Sequence, residues 1–208
     1  NEKSERLSGN VRDRFSLGYD LICFHLTNRL RSFDRHICDV EGKGMLLNKI
    51  NKWWMDRTQH IIKNHLLYIE DDYLIAKKCR VIPLEIIVRG YMTGSTNTSL
   101  WTHYKNGERE YCGLIFRDGY TKNRILDCPV ITPTTKGEVD ELISREQILE
   151  RGIVTLKELN FIYNKAMELY SFGVKKMSER GLILVDTKYE FGYDSNGDII
   201  LIDEIHTC

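Results

Sequence analysis

Four charged side chains in the last quarter of the chain have the types and spacing needed to hold a metal-bound phosphate. They are Asp186, Lys188, Glu190 and Asp203, carried by two apolar, β-branched runs that flank Asp194-Ser195-Asn196-Gly197. An Asn-Gly step between such runs predicts a two-residue hairpin turn. With Asn196 and Gly197 central, Ser195 flanks Asp198, and the same register sets Glu190 directly opposite Asp203. Alternation along the strands then turns all four charges to one face. Opposed carboxylates repel unless a cation lies between them, and Mg²⁺ takes one or two protein carboxylates with phosphate oxygens completing its shell. A hairpin with one solvated, charged face satisfies the same pattern, and a one-residue bulge breaks the register.

Three other stretches have anion-binding chemistry. Ser8-Gly9-Asn10-Val11-Arg12-Asp13-Arg14-Phe15 can lay backbone N–H groups and Arg12 over a polyphosphate, or form an exposed edge hairpin with two arginines. Arg89 ends an apolar run beside Gly94 and Ser95; this suits a phosphate or carboxylate, and equally an internal salt bridge. Thr132-Pro133-Thr134-Thr135-Lys136 supplies three hydroxyls and an ammonium that can line an anion site or belong to an ordinary loop.

The elements that must position these groups follow from periodicity. A second hairpin runs from the Arg12 region through Ser16-Leu17-Gly18 into residues 21–26, and Glu41-Gly42-Lys43-Gly44 marks a loop. Leu46, Leu47, Ile50, Trp53 and Trp54 recur at helical spacing, predicting an amphipathic helix over 45–59 with the tryptophans in the core. A strand pair is expected at 66–69 and 73–76. The apolar run 79–89 predicts a strand buried on both faces, with Pro83 near its start compatible with an edge or lobe junction. A short helix is expected over 98–104, extended chain over 126–137 where prolines disfavour helix, and helices over 144–151 and 155–180. The last carries Leu159, Ile162, Tyr163, Ala166, Leu169 and Tyr170 on one face, and Gly181 stops it.

Composition sets the outer limits. With 208 residues, 42% of them hydrophobic, the chain can build one large domain or two lobes sharing a cleft. Thirty basic against thirty acidic residues give no global argument for nucleic acid or an anionic membrane as partner. Cys23, Cys38, Cys79, Cys112, Cys128 and Cys208 show no metal-binding spacing, no apolar stretch is long enough to span a bilayer, and no signal-like segment opens the chain. Free thiols in a reducing cytoplasm are therefore expected. A start at Asn1 and a stop at Cys208 suggest that one or both ends are incomplete.

Taken in order, these segments resemble the phosphoribosylaminoimidazole-succinocarboxamide synthases, the SAICAR synthetases of purine biosynthesis. SGNVRDRF resembles the family's G-K-V-R-D hairpin, TNRLRSFD its T-D-R-x-S-A-F-D, and EGKG its glycine-lysine-glycine loop. VIPLEIIVRGYMTGS, TPTTK, LVDTKYEFG and LIDE are similar over longer runs, so the likeness covers nearly the whole chain. It implies an α+β, two-lobed fold, kinase-like or ATP-grasp-like, with antiparallel sheets, packed helices and an ATP cleft between lobes. We expect lobes at 1–84 and 85–208. It also implies an ATP-dependent carbon–nitrogen ligase that activates the carboxylate of carboxyaminoimidazole ribonucleotide by phosphoryl transfer and joins it to L-aspartate.

By that resemblance Gly9, Asn10, Val11 and Arg12 cover the phosphates, Val81 to Glu85 lie near the adenine, and Glu190 and Asp203 bind Mg²⁺. Arg89, Ser95 and Lys43 would hold the imidazole ribonucleotide, with Asp34, Asp186 and Lys188 around the reacting groups. Small molecules are then the expected partners, with neither nucleic acid nor membrane, and a homo-oligomer is left open. The chain departs from the family pattern at Asn10 for lysine, Asn28 for aspartate and Arg31 for serine, and ends before the family's P-D-S-S-R segment. Two other readings stand beside the ligase: a catalytically impaired nucleotide-binding homologue and a small-molecule kinase of the inositol-phosphate type.

Overall fold

The computed structural model describes residues 6–8, 12–32, 35–137 and 140–207. Gly9, Asn10, Val11 and Asp34, assigned above to phosphate and reacting groups, lie outside the described residues. In chain order the elements are strands β1 (Arg6–Ser8), β2 (Arg12–Leu17), β3 (Leu21–Leu26), β4 (Arg29–Ser32) and β5 (Arg35–Asp39), then helix α1 (Lys43–Arg57). Next come β6 (Leu66–Glu70), β7 (Tyr73–Lys77), β8 (Arg80–Met92), α2 (Leu100–Lys105), β9 (Glu110–Tyr111) and β10 (Leu114–Ile115). The chain continues with β11 (Arg124–Ile131), β12 (Thr134–Thr135), α3 (Arg145–Glu150), α4 (Leu156–Ser178), β13 (Asp186–Tyr193) and β14 (Ile199–Ile202). The fold is α+β with antiparallel sheets. No helix among the described residues is long and apolar enough to cross a membrane.

Two compact units emerge: Asn1–Val81 with Gly192–Cys208, and Ile82–Phe191. Strand β8 leaves the first unit at Val81, and β13 re-enters it at Gly192.

In the first unit, β1-β2-β3-β7-β6 form one antiparallel sheet. Leu26, Leu74 and Ala76 are its buried centre, covered by Leu47 of α1 and by Ile22, Phe24, Leu66 and Ile69. Helix α1 starts two residues earlier than expected and turns a different face inward. Gly44, Asn48, Asn51, Trp54 and Met55 are buried, whereas Leu46 is 58% exposed. The asparagines are tolerated inside because Asn48 Nδ2 donates to the Asp71 carbonyl at 3.1 Å and Asn51 Oδ1 accepts the Ile205 N–H at 3.2 Å.

The turn between β13 and β14 corrects the expected register. Gly197 N–H donates to the Asp194 carbonyl at 3.0 Å, and Asp194 N–H donates to the Asp198 carbonyl at 3.0 Å. These bonds close a three-residue loop, one residue displaced from a two-residue Asn-Gly turn. The cause is local: Asp194 Oδ1 accepts the N–H groups of Asn196 at 2.9 Å and Asp198 at 3.0 Å, favouring an Asx-type turn that puts Gly197 at φ 84. Asp203 lies beyond the end of β14 at φ 66, so strand alternation does not govern its side chain.

In the second unit β11, β8 and β13 lie side by side, and β12 pairs with β8. Burial along β8 alternates: Ile82, Leu84, Ile86 and Val88 are in the core, and Val81 is 46% exposed. The expectation of burial on both faces holds over Val88, Arg89 and Gly90, whereas before them one face is buried and Glu85 is part-buried on the other. Met92, Leu100, Tyr104, Tyr111, Phe116, Tyr120 and Leu126 form a further core cluster. Helix α4 opens with a capping box, Thr155 and Glu158 each accepting the other's backbone N–H. It buries Leu159, Ile162, Ala166, Leu169 and Tyr170 as the spacing predicts.

Candidate active site

Within the second unit, three extended segments send alternate side chains to one shared face. Strand β8 contributes Glu85 and Arg89, the 132–136 segment contributes Thr132, Thr134 and Lys136, and β13 contributes Asp186, Lys188 and Glu190. Strand period fixes the spacing. Pairing fixes the depth, because Thr134 is the cross-strand partner of Glu85 and Thr132 N–H donates to the Ile87 carbonyl at 2.9 Å.

These side chains form a chain of alternating charge. Lys188 Nζ donates to Glu85 Oε1 at 2.8 Å and to Glu190 Oε1 at 3.0 Å. The other Glu190 oxygen is bound by Lys136 Nζ, and the other Glu85 oxygen accepts the Thr134 hydroxyl at 3.1 Å. The Glu190 side chain is only 3% exposed, so its charge would be costly without both ammonium groups. Asp186, Lys188 and Glu190 thus share a face, as the sequence predicts.

Arg89 extends the same face. Its Nε donates to Thr132 Oγ1 at 2.9 Å, and Nη1 lies 3.4 Å from Asp186 Oδ2. Of the two roles open to Arg89, the internal ion pair is present in this state. Tyr111 and Cys112 also lie close to the guanidinium; burial pushes the phenol up to about 12 and the thiol up to about 11. Both are therefore neutral at ordinary pH, and neither cancels the arginine's charge. Ser95 is exposed in the loop after β8, and no contact joins it to Arg89 among those observed.

The first unit holds the remaining candidates. Arg12 pairs with Asp203 and lies 5.2 Å from the Phe24 ring centroid. His65 Nε2 donates to the Asp203 carbonyl at 3.1 Å; burial pushes this imidazole down to about 4, so it is neutral. Lys43 is the first residue of α1, and its neighbour Gly44 N–H donates to Asn28 Oδ1 at 3.2 Å. Asn28 thus supplies a cap to the helix start, which an aspartate would supply with a negative charge. The sequence offers Thr132, Thr134 and Lys136 together as a segment that can line an anion site, without separate roles, and gives His65 none. The T-x-T-x-K alternation was the available signal for the first three, whereas nothing local marks His65.

The donor set suits Mg²⁺ carried by phosphates. Among the described residues no cluster of three or more His, Cys, Asp or Glu side chains forms a cage. Such a cage is unnecessary when phosphate oxygens complete an octahedral shell around one or two carboxylates. Glu190 offers a carboxylate flanked by two lysines, a setting that fits an anion bridged by a divalent ion.

Similarity to known proteins agrees with this chemistry. A family model described as SAICAR synthetase matches residues 5–208. The phosphoribosylaminoimidazole-succinocarboxamide synthase of Legionella pneumophila (strain Lens) is 47% identical over 205 residues, 98% of this chain and 65% of that protein. The chain therefore spans just under two thirds of that relative's length. SAICAR synthase from Saccharomyces cerevisiae complexed with SAICAR aligns at a TM-score of 0.87 and 31% identity, covering 98% of this chain and 74% of that one. A type-2 SAICAR synthetase in complex with ADP aligns at a TM-score of 0.80 and 25% identity, covering 97% of this chain and 80% of that one. With its charged sheet face and its motifs in family order, the chain belongs to the SAICAR synthetase family.

Proposed function

We propose that this chain carries the catalytic region of an ATP-dependent ligase joining L-aspartate to carboxyaminoimidazole ribonucleotide, yielding SAICAR, ADP and phosphate. The observation that carries the proposal is the alternating chain Lys136, Glu190, Lys188 and Glu85 on one sheet face. Phosphoryl transfer between two anions is mainly a problem of neutralising and aligning charge. This face supplies two ammonium groups beside a carboxylate suited to Mg²⁺. One aligned structure is complexed with SAICAR and another with ADP, which supports the choice of product and nucleotide.

In this reading a carboxylate oxygen of the ribonucleotide attacks the γ-phosphorus of ATP, and the bond to ADP breaks. The amino nitrogen of aspartate then attacks the acyl carbon, and inorganic phosphate leaves with the electron pair of the C–O bond. Bound Mg²⁺ neutralises phosphate charge; Glu190 would hold it, together with Asp203 as the resemblance implies. Lys188 stays protonated between two carboxylates and meets the transferring group. Asp186, 45% exposed, takes the proton released by the amine, and Asp34 belongs to the same reacting set. Arg89, Ser95 and Lys43 bind the ribonucleotide; Gly9, Asn10, Val11 and Arg12 cover the phosphates; Val81 and Glu85 lie near the adenine. Free thiols at Cys23, Cys38, Cys79, Cys112 and Cys128 favour a reducing compartment, and we assign the cytoplasm.

The test is product identity. Incubation with Mg²⁺-ATP, the ribonucleotide and L-aspartate should release inorganic phosphate and yield a product heavier than the ribonucleotide by aspartate less water. Phosphate retained on the acceptor would instead mean a kinase, and ATP binding without turnover a binding module.

A further inference from the structure

Arg89 is one of the candidate ribonucleotide ligands, and what orients it is a residue with no charge and no surface. Thr132 is 0% exposed, and its Oγ1 accepts the Arg89 Nε–H at 2.9 Å. The threonine is itself fixed: its N–H donates to the Ile87 carbonyl at 2.9 Å, two residues before Arg89 on β8. The next residue, Pro133, has its carbonyl bound by the Ile143 N–H at 3.1 Å. Thr134 pairs with Glu85 on one side and bridges Leu142 on the other. The hydroxyl therefore stands at a defined point beneath the guanidinium.

An arginine side chain has several rotatable bonds, and its fork discriminates phosphate or carboxylate only when its plane is set. Binding Nε sets that plane without engaging Nη1, which faces Asp186 instead. The neighbouring Tyr111 phenol and Cys112 thiol are both neutral, so neither competes as an anion for the terminal nitrogens. Asp186, whose side chain is 45% exposed, approaches Nη1 at 3.4 Å, a loose contact that an incoming anion can replace. We propose that Thr132 is a positioning residue: its buried hydroxyl locks the Arg89 guanidinium in the plane that receives an anionic group of the ribonucleotide. This rests on the ligase reading for the identity of that ligand, and on the observed hydrogen bond for the positioning.

Thr132→Val keeps the shape and removes the acceptor, while Thr132→Ser keeps the acceptor and removes the methyl group. In the Val variant the KM for the ribonucleotide should rise about tenfold or more, with kcat and the KM for ATP little changed. The Ser variant should recover most of the affinity. In isotope-labelled protein the Arg89 Nε–H resonance should exchange slowly in wild type and Ser variant, and lose that protection in the Val variant. An unchanged ribonucleotide KM in the Val variant overturns the proposal, as does equal impairment of Val and Ser variants, which would assign Thr132 to packing. If wild type neither binds nor converts the ribonucleotide, the ligase reading fails by itself. The Nε–H signal then still decides the positioning: protection in wild type lost in the Val variant supports it, and an unprotected wild-type signal overturns it.

Discussion

Lys188 and Glu85, 103 positions apart in sequence, meet at 2.8 Å through Nζ and Oε1. Because Lys188 also binds Glu190, one ammonium group holds two carboxylates that would otherwise repel. Replacing Lys188 with Met should reduce turnover by about 100-fold or more, the scale seen when a charge-stabilising group is lost from a transition state. Melting temperature should fall modestly, since Glu190 keeps Lys136. Steady-state kinetics and thermal melts on the same preparation check both halves.

Asp203→Asn separates charge from fold. Asparagine adopts positive φ more readily than most residues, so the backbone at φ 66 should be retained. The carboxylate charge facing Arg12 is removed. Calorimetry should show Mg²⁺-ATP affinity weakened more than ribonucleotide affinity; equal losses would remove Asp203 from the proposed metal set.

Acid should destabilise the first unit through two histidines. Burial pushes His65 and His206 each down to about 4, below the ordinary value of about 6.5. Between those values the unfolded chain binds protons that the folded chain refuses, so stability is complete above about pH 6.5 and falls as pH drops toward 4. The loss is on the order of 3 kcal/mol for each histidine. Melting temperature at pH 7.5 and pH 5 should differ accordingly, and His206→Phe should flatten part of the slope.

Much of this architecture was legible because it depends on local period. The α4 face and the shared face of Asp186, Lys188 and Glu190 follow from 3.6- and 2-residue repeats alone. The buried face of α1 was not legible, since Asn48 Nδ2 and Asn51 Oδ1 find their partners at Asp71 and Ile205, both remote in sequence. The turn was misread because Asn196-Gly197 carries a strong two-residue signal while Asp194 captures the neighbouring N–H groups. The pairing of β4 with β5 has no counterpart in the sequence pattern, because their arginines mask strand character. Thr132 was legible only as one of three hydroxyls that can line an anion site, because a buried hydroxyl acquires its specific meaning from the arginine laid against it.

Close packing behind the site makes a further claim. A Cβ at Gly90 would lie 2.1 Å from the Tyr170 hydroxyl oxygen, which donates to the Leu184 carbonyl at 2.9 Å. Gly90→Ala should destabilise the protein by about 1–3 kcal/mol. Adding Tyr170→Phe should recover part of that loss, a coupling that a double-mutant cycle in denaturant would detect.

The ligase assignment and the role of Glu190 stand or fall on ADP formation from Mg²⁺-ATP and carboxyaminoimidazole ribonucleotide, measured with and without L-aspartate in wild type and Glu190→Gln. Sustained ADP production is expected only with aspartate, with one phosphate released per SAICAR formed and a loss of about 100-fold or more in Glu190→Gln. Turnover independent of aspartate, or a Glu190→Gln variant as active as wild type, would contradict these assignments.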